Sequence, residues 1–248
     1  SFFPFLNEED ALASQQVGKD RDLSKALYQS LDTSAGQKWK FYYVSSPDER
    51  KNRPDNDNIM NPDYDDSAWD DITVPKSWEA SYNEDGTFKY NAPQYTNTTY
   101  PWVSQNPNPQ KPHAPTQFNP VGFYRTKLDV DPDFQGRPVF LTFEGVESAM
   151  YLYINVHEVG YTENSFDTHD FDITPFLNAD GKDNLLAVRV HRWSDGSWIE
   201  NQDGLRLSGI YRDVYLFSKD DIEIRDFTVV TDLDSEYVDA DLNTEVEL

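Results

Sequence analysis

The chain has no cysteine among its 248 residues, and this absence excludes disulfide bonds, thiolate metal sites and cysteine nucleophiles. It also lacks any apolar run near the roughly 20 residues that a membrane-spanning helix requires. Positive charge is scarce, because 21 lysines and arginines face 45 aspartates and glutamates, for a formal net charge of −24. Such a field repels phosphate backbones and anionic lipids, so we expect neither nucleic-acid nor membrane partners.

Helical patterning is confined to one region near the start of the chain. Residues 8–31 carry an apolar helical face behind a candidate Asp22 cap, made of Leu23, Ala26, Leu27 and Leu31. This predicts a short N-terminal helix. The opening SFFPFLNEED has neither the basic leader nor the apolar length of a signal peptide.

Strand patterns dominate the rest of the chain. They fall at 37–44, 72–74, 121–130, 137–146, 148–163, 169–177, 184–193 and 211–217. Apolar and polar residues alternate within them, which is typical of half-buried antiparallel strands. Two stretches, 46–66 and 81–120, read as long loops, and the second has seven prolines from Pro93 to Pro120. The pattern predicts an all-β sandwich of the jelly-roll, galactose-binding-like type.

The strand pattern starts again after residue 219. Residues 221–233 and 237–248 predict two further strands, and two strands alone do not bury a core. We therefore expect three regions: an N-terminal extension over 1–36, the jelly roll over 37–219, and the start of a second domain over 220–248.

Metal-ligand patterns are weak. Asp55, Asp57 and Asp63 lie in an acidic loop that lacks the central glycine and terminal glutamate of a calcium loop, so solvated charges are the favoured interpretation. No pair of the four histidines (His113, His157, His169 and His191) has zinc-binding helical spacing. The acids are too numerous for one catalytic pair to stand out.

Several separated segments carry a family resemblance. They are DYDDSAWDDITVPKSWE (63–79), APQYTNTTYPW (92–102), NPVGFYR (119–125), residues 143–177, NLLAVRVHRWSDGSW (184–198), and the run to YRDVYLF at 217. In this order they resemble the N-terminal sugar-binding domain of family 2 glycoside hydrolases, particularly the long β-galactosidases. The resemblance implies an immunoglobulin-like domain and then a (β/α)₈ barrel after this region. Because that barrel holds the family's two catalytic glutamates, we expect no catalytic residue in this chain.

Asp195 is the first candidate site residue. A Ser-Asp-Gly turn after a strand favours an aspartate that only bonds its local backbone. The resemblance implies otherwise, since the matching aspartate contacts galactose and helps hold a sodium ion. A hard cation prefers such oxygen ligands.

Asn97 and Thr98 are the second candidate, in the segment Tyr-Thr-Asn-Thr-Thr-Tyr. The resemblance places them at the edge of the sugar site, and an amide can read a hydroxyl as both donor and acceptor. A turn asparagine or a glycosylation acceptor is the alternative. Trp193 and Trp198 could stack on a sugar, although core packing is the favoured interpretation. Polar contacts to the barrel are expected from Glu200, Gln202, Asp203 and Arg206.

The resemblance thus implies the N-terminal portion of a β-galactosidase that hydrolyses terminal β-D-galactosides with retention, the fragment itself being inactive. The alternatives are a stand-alone carbohydrate-binding module or adhesin domain, and the equivalent part of a β-glucuronidase or β-mannosidase. Sodium and magnesium are implied for the full-length enzyme, with the magnesium ligands outside this chain. The implied partners are a galactoside, the downstream barrel and, for the full-length enzyme, further copies of itself. The bacterial cytoplasm is the expected location, and secretion or cell-wall attachment is the alternative.

Overall fold

A computed structural model of the chain describes residues 3–15, 22–47, 58–103, 109–220 and 222–248. It contains one short helix, α1 (Glu8–Ala13). The strands are β1 (Tyr28–Ser30), β2 (Trp39–Val44), β3 (Asp70–Ile72), β4 (Gln94–Thr96), β5 (Val121–Leu128), β6 (Val139–Phe143), β7 (Val146–Glu147), β8 (Ala149–Ile154), β9 (His157–Thr162), β10 (His169–Asp172), β11 (Asn184–His191), β12 (Gly204–Arg206), β13 (Gly209–Ile210), β14 (Val214–Ser218), β15 (Asp226–Leu233) and β16 (Ala240–Glu247).

Two antiparallel sheets face each other across one core. The smaller has the order β1-β14-β6-β10 and the larger the order β3-β2-β5-β11-β8-β9. Alternate residues of each sheet enter the same apolar cluster, such as Leu141 and Phe143 from β6 and Leu186 and Val188 from β11. All four are fully buried, and each contributes about 1.5–3 kcal/mol by leaving water. The predicted all-β sandwich is confirmed.

The predicted helical face at Leu23–Leu31 is wrong. The only α-helix of the described residues ends at Ala13, and Asn7 rather than Asp22 caps it, by accepting the backbone N–H of Asp10 at 2.9 Å. Leu27 and Leu31 are buried, but they flank β1, which pairs with β14. A spacing of four residues keeps side chains on one face of a strand as well as of a helix, so the pattern fits both.

Other predicted elements differ in detail. The run 148–163 is a hairpin of β8 and β9 that turns at Asn155, which has a positive φ of 55°. The strand predicted at 72–74 lies at Asp70–Ile72. Asp55 and Asp57 of the acidic loop lie outside the described residues, and Asp63 is exposed. In the part of the chain that is described, no helix has the length and apolar content of a membrane span.

Strands β15 and β16 form a hairpin with exposed side chains along its whole length. Its apolar side chains Phe227, Val229 and Leu233 are each about half exposed. The hairpin agrees with the two strands predicted beyond residue 219, and the division of the chain at 37, 219 and 220 stays a prediction.

Gly209 offers a test of the packing where the sandwich meets the site loops. Its φ is +103°, and a Cβ there would lie 2.6 Å from the Tyr124 hydroxyl. We expect Gly209→Ala to lower the free energy of unfolding by about 2–4 kcal/mol, because backbone strain and overpacking add. Urea unfolding measures the loss. Gly204→Ala is the control, since a Cβ at Gly204 meets nothing within 4 Å; equal losses in the two variants would contradict the packing described.

Candidate functional site

The end of β11 is fixed by the buried side chain of Asn119. The Trp193 N–H donates to Asn119 Oδ1 at 2.9 Å, and the Asn119 amide donates to the carbonyls of Pro115 and Trp193 at 3.1 and 3.0 Å. One amide thereby joins the loop before β5 to the turn after β11. This explains why the sequence has an asparagine at the entry of β5.

The turn that follows is closed by serine, not by Asp195. The Ser194 N–H donates to Ser197 Oγ at 3.0 Å, and the Ser197 N–H donates to the Ser194 carbonyl at 3.2 Å. Asp195 begins a single 3₁₀ turn, yet within that described turn its side chain makes no capping hydrogen bond. Its carboxylate is exposed. The local-backbone interpretation of Asp195 therefore does not hold in this structure.

A second carboxyl group, Glu163, lies beside Asp195. Burial raises the pKa of Glu163, and its hydrogen bond with the Asp195 carboxyl raises that pKa further. The hydroxyl of Tyr161 donates to Glu163 Oε2 at 2.8 Å. Glu163 was not singled out by the sequence, because it is one of 45 acids and reaches Asp195 only through the β8–β9 hairpin.

An open cavity of about 350 Å³ adjoins Asp195. Its walls come from the loop before β5 and from the outward faces of β8, β9 and β11. The lining residues are Pro47, Pro112, His113, Ala114, Pro115, Thr116, Asn119, Ala149, Tyr151, Tyr161, His191, Trp193, Ser194 and Asp195. No lysine or arginine is among them.

Asn97 and Thr98 are exposed and follow β4 directly. Strand β4 pairs with β12, with Thr96 opposite Gly204. This places the Asn97 segment beside the chain that leaves the Asp195 turn. The two strands are three residues each, too short for the sequence to show an alternating pattern.

An aromatic cluster holds the Asn97 segment against the Asp195 turn. Trp102 contacts Trp193 and Trp198 edge-on, with ring centroids 5.6 and 4.8 Å apart. Tyr100 contacts Trp198 at 4.4 Å, and its hydroxyl donates to the Trp198 carbonyl at 3.2 Å. Trp193 is 5% exposed. Both tryptophans thus serve packing, the interpretation favoured for them, and the structure brings the two predicted site segments together.

Arg206 joins the Asn97 segment to the chain that leaves the Asp195 turn, through hydrogen bonds to both. It is 6% exposed, and its Nε donates to Thr96 Oγ1 at 3.0 Å. Its other nitrogens donate to the Glu200 carbonyl, to Asn201 Oδ1 and to the Gln202 carbonyl. Glu200 is likewise engaged within this domain, since its carboxylate accepts the backbone N–H and the hydroxyl of Ser165. Of the four residues expected to contact a barrel, only Gln202 and Asp203 have exposed side chains.

Replacing Arg206 tests how much these hydrogen bonds, called here the Arg206 clamp, stabilise the fold. We expect Arg206→Met to lower the free energy of unfolding by roughly 2–4 kcal/mol, because several buried acceptors lose their donor at once. Chemical denaturation measures it. Arg212→Met is the matched control, since Arg212 is exposed and donates only to carbonyls of the same surface. A loss under 1 kcal/mol for Arg206→Met would show that the clamp adds little.

The residues beside Asp195 match the sodium ion implied by the resemblance only in part. Asp195 and Glu163 offer carboxylate oxygens, the ligand type that a hard cation prefers. The described residues contain no group of three or more histidine, cysteine or acidic side chains able to hold a metal. Asp195 thus offers one ligand of a suitable type, and among the described residues no complete cation site accompanies it.

Comparison with known proteins identifies the family of this chain. Residues 32–220 match the model of the sugar-binding domain of glycosyl hydrolases family 2. A β-galactosidase of Priestia megaterium is 40% identical over 245 residues, which are 99% of this chain and 21% of that protein. The β-galactosidase large subunit of Lactobacillus helveticus is 33% identical over 96% of this chain and 37% of its own length. The chain thus spans about a fifth of the first of these relatives.

Solved structures show the same fold. A β-glycosidase from Bacteroides vulgatus superposes with a TM-score of 0.57 at 23% identity, over 89% of this chain and 24% of that one. A Bacteroides uniformis β-glucuronidase gives 0.56 at 22% identity, over 82% and 20%. On the family model and these relatives together, the chain belongs to glycosyl hydrolase family 2, in which residues 32–220 correspond to the sugar-binding domain.

Proposed function

We propose that this chain is the N-terminal part of a β-galactosidase that hydrolyses terminal β-D-galactosides with retention of configuration. The proposal rests on Asp195, whose carboxylate is exposed and makes no capping hydrogen bond in its own turn. Serines, Asn119 and tryptophans hold that turn in place instead. An exposed carboxylate on a rigidly held turn, whose neighbour is the Glu163 carboxyl rather than its own backbone, is available for a ligand. Relatives named β-galactosidases support the choice of substrate.

In this proposal the Asp195 carboxylate accepts a hydrogen bond from a hydroxyl of galactose and supplies one ligand to a sodium ion. When bound, such an ion would offer positive charge to oxygen atoms of the sugar. Asn97 and Thr98, on the neighbouring segment, form hydrogen bonds with further hydroxyls of the sugar. The catalytic glutamates, the remaining sodium ligands and the magnesium ligands come from the rest of the polypeptide, so this chain alone is inactive.

A glucuronidase is the nearest alternative. Asp195 lines the cavity and has the Glu163 carboxyl beside it, and no lysine or arginine is among the lining residues. A uronate would bring a further negative charge to this acidic surface, whereas galactose is neutral. The electrostatics of this side of the site favour the galactoside.

A panel of nitrophenyl glycosides tests the substrate class on the full-length polypeptide. We expect kcat/KM for the β-galactoside to exceed that for the β-glucuronide and the β-mannoside by at least about 100-fold, since buried groups made for one hydroxyl pattern reject others strongly. A larger kcat/KM for the glucuronide would overturn the proposal.

A stand-alone binding module is the alternative outside the enzymes. Calorimetry of the 248-residue chain with galactose and lactose separates the two, because an incomplete set of contacts leaves a sugar poorly held. We expect dissociation constants no tighter than about 1 mM. Micromolar binding by the chain alone would favour the module.

A further inference from the structure

One buried carboxylate, that of Glu79, joins three separate segments of the chain. Glu79 is 2% exposed and lies in a single 3₁₀ turn over Trp78–Ala80. Its Oε2 accepts the backbone N–H of Ser208 at 2.9 Å, and its Oε1 accepts the side-chain amide of Asn91 at 3.0 Å. Arg192 Nη1 lies 3.4 Å from the same Oε1. All three partners are donors, and an ionised carboxylate can accept from several donors at once.

The three joined segments are those that carry the proposed sugar site. Arg192 directly follows β11 and comes three positions before Asp195. Asn91 comes six positions before Asn97, on the chain that enters β4. Ser208 follows β12, the strand that pairs with β4. This carboxylate therefore connects the chain before the Asp195 turn to both strands that place the Asn97 segment.

The charged partner of Glu79 is buried as well. Arg192 is 5% exposed, and its Nη2 donates to the Arg206 carbonyl of β12 at 3.3 Å. Its guanidinium lies 4.9 Å from the centroid of the Trp193 ring. Arg192 thus contacts β12 on one side and the residue that leads into the Asp195 turn on the other.

Burial of this ion pair favours a role in geometry over a role in stability. A buried ion pair adds little net stability compared with apolar residues of similar volume, because taking both charges out of water offsets their attraction. Its directional hydrogen bonds nevertheless hold the joined segments in one arrangement. Resting on the proposed function, we propose that Glu79 is a positioning residue, which sets Asp195 relative to Asn97 so that both reach the same galactosyl unit.

Glu79→Gln in the full-length polypeptide tests this role by kinetics. We expect it to lower kcat/KM for a nitrophenyl β-galactoside roughly 5- to 50-fold, since misplacing a binding group by about 1 Å can cost about 100-fold. The same change in an Asp195→Ala, Asn97→Ala background should lower kcat/KM less than about twofold, because the two side chains that Glu79 positions are then absent. A purely structural role would give the same factor in both backgrounds.

Two further variants separate positioning from stability. Asn91→Ala removes one donor to Glu79 and keeps the Arg192 ion pair, so it should lower kcat/KM in the same direction, and it serves if Glu79→Gln does not fold. Leu141→Ala is the matched control, because Leu141 is fully buried in the apolar core and takes no part in the Glu79 contacts. Well below its melting temperature, Leu141→Ala should leave kcat/KM within about twofold of the wild type.

Each contrary result has its own meaning. An equal fall for Glu79→Gln in the two backgrounds, or an unchanged kcat/KM in both Glu79→Gln and Asn91→Ala, would overturn the proposal. A fall in Leu141→Ala as large as that in Glu79→Gln would show that lost stability explains the effect, which also overturns it. A wild-type polypeptide that does not cleave the β-galactoside would instead refute the proposed function, and this assignment with it.

Discussion

Asp195→Ala in the full-length polypeptide is expected to lower kcat/KM for a nitrophenyl β-galactoside roughly 10- to 100-fold. A hydrogen bond to a charged group is worth about 1.5–3 kcal/mol, and each 1.4 kcal/mol is a factor of ten. Stability should change little, because the Asp195 side chain is exposed and does not cap its turn. Steady-state kinetics and a melting curve of the same preparation measure both quantities.

A matched control is available on another turn. Asp180 is also an exposed turn aspartate, but its carboxylate accepts the Lys182 N–H at 3.0 Å. Asp180→Ala should therefore leave kcat/KM within about twofold and cost at most about 1 kcal/mol of stability. If Asp195→Ala behaved like Asp180→Ala, Asp195 would be an ordinary turn residue after all.

Glu147→Gln is expected to change how stability depends on pH. Burial raises the pKa of Glu147 to about 8, and the negative charge of Glu79 adds to the shift. The folded chain holds a proton there that the unfolded chain has released above pH 4.5, so the wild type loses stability as pH rises from about 4.5 to 8. Glutamine carries no charge, so the variant does not incur this loss. Its advantage should grow by as much as about 4 kcal/mol over that range.

Urea unfolding at several pH values from 5 to 9 measures the difference between Glu147→Gln and the wild type. Glu84→Gln is the control for the substitution itself, since Glu84 is exposed. A flat difference for Glu147→Gln would mean that Glu147 is ionised in the folded chain without cost.

The sandwich could be predicted from sequence because its long strands alternate. Strands β6 and β11 place every second residue in one core, and the alternation appears in the sequence as Val139, Leu141 and Phe143. Strand β1 could not be recognised, because Leu27 and Leu31 are spaced by four residues, which satisfies a helix and a strand equally. The pairing of β1 with β14 makes this segment a strand, and that pairing joins residues far apart in the chain.

The site could be predicted only in part. The Trp-Ser-Asp-Gly turn indicated Asp195, but sequence could not decide whether its carboxylate closes the turn, since Ser194 and Ser197 are equally able to do so. The structure gives that role to Ser197. Glu163 and Tyr161 reach Asp195 through the fold, and Arg206, which was expected to contact the barrel, is buried within this domain. Each of these depends on contacts between segments that no local pattern records.

The central claim is that this domain supplies Asp195 to a galactoside site completed by the rest of the polypeptide. A structure of the full-length protein with bound galactose tests it most directly, through the distance from the Asp195 carboxylate to the sugar. We predict an oxygen–oxygen distance of about 2.6–3.0 Å to one galactose hydroxyl. A bound galactose with Asp195 facing solvent, beyond hydrogen-bonding reach of every hydroxyl, would contradict the claim.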